Sequence, residues 1–208
     1  ILTHIRHSEN VFIMKRLLLI IILTLSFQSL GKADDIRDFE IEGMSIGDSA
    51  LDFFTESKLN NKESTNYYKD EDFIGVTIYL ENSIYDSIGL TLKPGDKKYL
   101  VYGINGGIHI DNNEECLIKK DNIVKEISEM FKNAEIVNPG KRDYAPDPTG
   151  ESKSYSIYYW MEEAFIEISC YDLTEKLAKK EKWRKNILNV NVTSKEFSDF
   201  LLTKEYAQ

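Results

Sequence analysis

Two neighbouring segments, Tyr155 to Trp160 and Ala164 to Tyr171, alternate between two kinds of side chain at period two. That pattern fits a pleated strand with one buried face and is wrong for a helix. A short connection at Glu162-Glu163 sets the pairing, so Tyr155 faces Cys170 and Trp160 faces Phe165. Tyr155, Ile157 and Tyr159 then share one face with Cys170, Ile168 and Ile166. Tyr158, Trp160, Phe165 and Glu167 share the other. A slip of one residue would exchange the faces, so the register is strongly specified.

The same period recurs upstream. Ile74, Val76, Ile78 and Leu80 form one stripe, and Ile84, Ile88, Leu90 and Leu92 a second. Lys93-Pro94-Gly95-Asp96 is a turn, Tyr99 to Tyr102 a strand, and Asn105-Gly106-Gly107 a tight turn before Ile108-His109-Ile110. Ile36 to Ile41 alternates as a short strand, and Lys58 to Asn66 reads as a loop. Helical spacing predicts a short helix after Asp48-Ser49 and an amphipathic helix through Ile123, Ile127, Met130 and Phe131, capped by Asp121. The segment from Asn138 to Lys153, rich in proline and glycine, reads as a surface loop. Ile187 to Val192 is a last strand, and Thr193-Ser194-Lys195-Glu196 a capping box for a terminal helix burying Phe197, Phe200 and Leu201. The expected class is α+β: antiparallel sheet with about three helices, arranged as two helix-plus-meander halves.

Met14-Lys15-Arg16 precedes a mostly apolar run from Leu17 to Leu30, and Gly31-Lys32-Ala33 supplies a small-x-small end. This has the shape of a secretory signal peptide. The run holds about 14 residues against the roughly 20 of a membrane span. The expectation is a cleaved leader at 14–33, preceded by an upstream extension at 1–13, with a single domain at 34–208 that is periplasmic or secreted. The alternative is an uncleaved tether to the inner membrane through residues 17–30. In an oxidising compartment Cys116 and Cys170 are expected to pair, closing a loop of about 54 residues for about 4 kcal/mol.

The whole chain carries a net charge of −9. Removing residues 1–33 takes four basic residues and one acidic residue with it, making the remainder −12. Such an acidic surface lacks the basic footprint of a nucleic-acid binder. The sequence suggests no cofactor and no metal site. Asp111 to Glu115 begins like a calcium loop, but Cys116 stands where glycine is needed and Asn122 where a bidentate glutamate is needed.

Two candidate sites emerge. His109 with Asp111 would form a base-carboxylate pair for an exported hydrolase, although no nucleophile elbow accompanies it. Tyr158, Trp160 and Phe165 would form an aromatic binding strip on the outer face of the hairpin. A lysine-rich stretch from Lys176 to Lys185 reads as a solvated helix face or a contact for an acidic partner. The favoured function is a non-catalytic binding or cell-envelope module, its partner another envelope protein or a small ligand.

The segment Met14 to Phe54, with Cys116, the Cys170 strand and the terminal SKEFSDFL, resembles small exported proteins of unassigned function in Pelagibacter-type marine bacteria. That resemblance implies export and one compact domain, and brings no activity. Gly43-Met44-Ser45, followed by a helix and a meander, is similar to the start of the outer-membrane-assembly lipoproteins of the BamE type, without their lipid-bearing cysteine.

Overall fold

A computed structural model describes residues 36–180 and 185–205. The leader at 14–33 and the extension at 1–13 lie outside the described residues. Among those described, no helix is long and apolar enough to cross a membrane.

The class is α+β. Eight antiparallel strands form one sheet in the order β1-β2-β3-β4-β8-β7-β6-β5. They are β1 (Thr65–Tyr67), β2 (Ile74–Tyr79), β3 (Ser87–Leu92), β4 (Gly103–His109), β5 (Glu135–Asp143), β6 (Lys153–Trp160), β7 (Ala164–Asp172) and β8 (Asn186–Ser194). Among the described residues four α-helical segments accompany them: α1 (Glu56–Leu59), α2 (Asn113–Met130), α3 (Glu175–Lys180) and α4 (Lys195–Phe200). Two four-stranded meanders therefore meet edge to edge where β4 pairs with β8.

The hairpin register is the expected one, with Tyr155 opposite Cys170 and Trp160 opposite Phe165. Alternation sends one apolar row across six strands: Val76, Leu90, Ile104, Val192, Ile166 and Tyr159. All six are at most 1% exposed, each contributing roughly 1.5–3 kcal/mol of hydrophobic stabilisation. α2 packs on this face over β7 and β8, and the segment 36–54 joins the same core through Ile36, Ile41, Met44 and Ala50. The Tyr159 hydroxyl, carried into the core, bonds the Val124 carbonyl at 2.9 Å and Ser128 Oγ at 2.7 Å. The Cys116–Cys170 disulfide is present and ties the first turn of α2 to β7.

Several local expectations are corrected. Asn105-Gly106-Gly107 is no turn. It lies in the middle of β4, and neither glycine has the positive φ that a type I′ hairpin demands. A Cβ on Gly106 would stand 2.3 Å from the Tyr85 ring, so the glycine is there to admit that ring onto the core face. Residues 99–101 leave the sheet: Leu100 bridges Ser49, Tyr99 has φ +51°, and the Val101 N–H bonds the Asp48 carbonyl. Residues 36–41 form a 3-10 turn at Ile36–Asp38 and a bridge from Ile41 to Met44 instead of a strand. α2 is capped by Asn112, nine residues before the expected cap Asp121, and Asn112 accepts the Glu115 N–H at 2.9 Å. The acidic run Asp111–Glu115 is thus a helix start. The expected loop at 58–66 contains the end of α1 and the first two residues of β1. The expected loop at 138–153 begins inside β5, which crosses Pro139-Gly140 by a register shift and pairs again from Gly140 to Asp143; residues 144–152 lie outside the strands, as expected. A bulge on an edge strand is where proline is tolerated. The terminal helix is capped by Ser194, which accepts from the Phe197 N–H at 3.3 Å.

Candidate functional site

The face of the sheet opposite α2 is polar. Its central row runs Thr77, Gly89, Asn105, Asn191, Glu167, Tyr158. β8 explains the polarity: Asn189, Asn191 and Thr193 alternate with the buried Leu188, Val190 and Val192. On β2 to β4 the face is lined by Gly75, Gly89, Gly103 and Gly107, so the floor lies low where a side chain would fill it.

Two small hydrophobic clusters rise from the ends of this face. At the Gly103 end, α4 brings Phe197 and Phe200 against Phe73, with Tyr68, Tyr102 and Leu201 around them. The Phe197 ring lies 3.5 Å from the Cβ position of Gly103. At the His109 end, Leu173, Leu177, Ala178 and Ile187 pack with Tyr144 and Tyr171. A cleft of about 350 Å³ remains, walled by Phe197, Leu201 and Tyr68 on one side and by Tyr171 and Ile187 on the other. That volume is within the range of small-molecule sites. Its floor carries the amides of Asn66, Asn105, Asn189 and Asn191 and the hydroxyls of Thr77, Ser87 and Thr91.

Among the described residues, the lining contains no Lys, Arg, Asp or Glu. In a chain with 29% charged residues this composition is selective. Asn105 faces Asn191 across the β4–β8 joint, and Asn189 is two residues along the same face. All three are half-buried. Among the described residues, the side chains of Asn105 and Asn189 make no hydrogen bond, and Asn191 Oδ1 accepts only a long one of 3.4 Å from Thr193. None of their polar atoms is sealed from solvent without a partner, so these amides are available to the cleft.

His109 lines the same cleft. Its carboxylate neighbour is Asp86, whose Oδ2 takes the His109 backbone N–H at 2.6 Å and stands 3.3 Å from Nδ1. No hydrogen bond or ion pair joins His109 to Asp111 among the described residues. Asp111 is exposed at the start of α2, and its backbone carbonyl accepts from Asn186.

The aromatic strip lies beside the cleft rather than in it. The Trp160 and Phe165 rings are 4.9 Å apart. Phe165 is buried, while Trp160 and Tyr158 are half-buried. Next to them Glu167 Oε1 accepts from Ser169 at 2.5 Å, Ser156 at 3.1 Å and Tyr171 at 3.4 Å. Burial, and then the Glu167 charge, push the hydroxyls of Tyr171 and Tyr158 above the ordinary tyrosine range. Of the lysine-rich stretch, α3 places Leu177 and Ala178 inward and leaves Lys176 and Lys179 exposed; Lys182 and Arg184 lie outside the described residues. No group of three or more His, Cys, Asp or Glu is placed to hold a metal among the described residues.

Sequence reasoning passed over the asparagines. The available signal was their placement: asparagine is depleted in strands, yet Asn189 and Asn191 alternate with Leu188, Val190 and Val192. No protein family, curated protein or solved structure matches the chain.

Proposed function

We propose that the protein is an exported, non-catalytic binding module that takes a small ligand on the open face of its sheet. One observation supports this above the others. The cleft between the two aromatic clusters is floored by side chains that offer hydrogen bonds and are not committed to the fold. Buried polar groups normally find partners inside the protein; amides left open in a concave apolar-walled site are what a binding surface needs. Export is supported by the leader pattern at 14–33 and by the Cys116–Cys170 bond, which suits an oxidising compartment.

The hydrolase reading retains one supporting feature, His109 in the cleft with a carboxylate at Nδ1. It needs a nucleophile within hydrogen-bond reach of the base. Ser87 and Tyr171 line the same cleft, but neither is bonded to His109 among the described residues. This favours binding over catalysis.

The test compares the full chain with a Thr77→Trp variant, which places an indole over the cleft floor. Saturation-transfer NMR is run with three probe sets: neutral sugars, amino acids and phosphate monoesters. At least one set should bind the parent, lose its signal with the variant, and remain chemically unchanged on standing. Equal signals from both proteins for every set would sink the reading. So would steady hydrolysis of p-nitrophenyl acetate that disappears with His109→Ala.

A further inference from the structure

We infer that the cleft selects a neutral, hydroxyl-rich ligand, a sugar unit without charged substituents. This rests on the binding-module reading above and adds the class of ligand.

The first argument is electrostatic. An anionic ligand is normally met by Arg, Lys or a long helix N-terminus, and a cationic one by carboxylates or an aromatic cage with acidic neighbours. None of the described lining residues is Lys, Arg, Asp or Glu. A charged ligand would lose water in the cleft and gain no ion in return, which is costly. A nucleotide fails on the same ground: its phosphate would find no described Lys or Arg, and the imidazole of His109 already has the Asp86 carboxylate 3.3 Å from Nδ1.

The second argument is hydrogen-bond type. Each asparagine amide presents both an acceptor oxygen and two N–H donors. A sugar hydroxyl also donates and accepts. Asn105, Asn189 and Asn191 sit on two paired strands, with Cβ atoms of facing residues about 5 Å apart and diagonal neighbours about 7–8 Å. That spacing lets the three amides reach hydroxyls on different sides of one ring rather than a single neighbouring pair. The backbone groups of the floor are already used in the sheet ladder, so an extended peptide finds no strand to pair with here.

The third argument is shape. Glycines at 89 and 107 keep the floor flat between the asparagines, and Tyr79, 63% exposed, stands at the rim where its ring can lie on an apolar C–H face. The aromatic clusters close both ends along the strand direction, so the space suits a compact ring.

The experiment uses the full chain and calorimetric titration with glucose, galactose and N-acetylglucosamine, against glucuronate, glucose 6-phosphate and glucosamine. At least one neutral sugar should bind more tightly than every charged analogue. Asn105→Ala and Tyr79→Ala should each weaken that sugar by roughly three- to tenfold, the worth of one hydrogen bond or ring contact. Asn191→Asp changes no shape and serves where alanine variants fail to fold. It should shift preference toward glucosamine by at least tenfold. If glucuronate or glucose 6-phosphate binds best, the ligand class is wrong while the cleft remains a binding site. If none of the six binds and Thr77→Trp changes nothing for any probe set, both readings fall together.

Discussion

Cys116 on the first turn of α2 and Cys170 on β7 are bonded across the core, with Cα atoms 5.9 Å apart and both residues fully buried. The long helix is thereby fastened to the sheet at one end. At its other end it is held by the packing of Ile127 and Phe131 and by the Tyr159 hydroxyl, which bonds Ser128 Oγ and the Val124 carbonyl.

Breaking that bond should lower stability by about 4 kcal/mol, the chain-entropy value for a loop of 54 residues. A Cys116→Ser/Cys170→Ser double variant should show a lower urea midpoint than the parent, and the parent unfolded and refolded in dithiothreitol should match the variant. Equal midpoints with and without reductant would show that the bond contributes nothing.

Gly106→Ala should destabilise by about 1–3 kcal/mol, because its methyl would be driven into the Tyr85 ring at 2.3 Å. Thermal melts of Gly106→Ala, Tyr85→Ala and the double variant separate the cause. If the clash is the cause, adding the methyl in the Tyr85→Ala background should cost far less. An unchanged cost would place the effect in the backbone.

The same ring predicts alkaline behaviour. Burial, and then the Glu42 charge, push the Tyr85 hydroxyl up to about 12 from an ordinary 10.0. Below pH 10 both folded and unfolded chains hold the proton. Between pH 10 and 12 only the folded chain does, so stability is lost as pH rises, by about 2–3 kcal/mol for this group. Denaturant midpoints from pH 9 to 12 should fall less steeply in Tyr85→Phe than in the parent. Parallel curves would remove Tyr85 as a source.

These tests bear on how far the sequence could be read. The β6–β7 hairpin was legible to the residue because its alternation is strong and its loop short. The disulfide followed from two cysteines and a leader pattern. The glycine-rich strand was not legible, since Asn105-Gly106-Gly107 is the usual signature of a hairpin turn. Tyr85, twenty-one residues before Gly106 and folded against it, gives that glycine another purpose, while Gly107 lies against Ser87 on the opposite face. The start of α2 was hidden by Lys119-Lys120-Asp121, whose polarity interrupts the apolar stripe; Lys120 is buried along its stem with its ammonium on Asp121. The candidate site was half legible. His109 was identified, but its partner Asp86 belongs to another strand connection. The asparagine floor exists only once β4 and β8 are neighbours.

That pairing also sets the order of assembly. Every other ladder joins strands that follow one another in the chain, whereas β4 and β8 come together across about 80–90 intervening residues. Each meander can form early from local contacts; the joint between them comes late. Until it closes, β4 and β8 are bare edges of matching register, and two chains held at high concentration can satisfy both by exchanging halves.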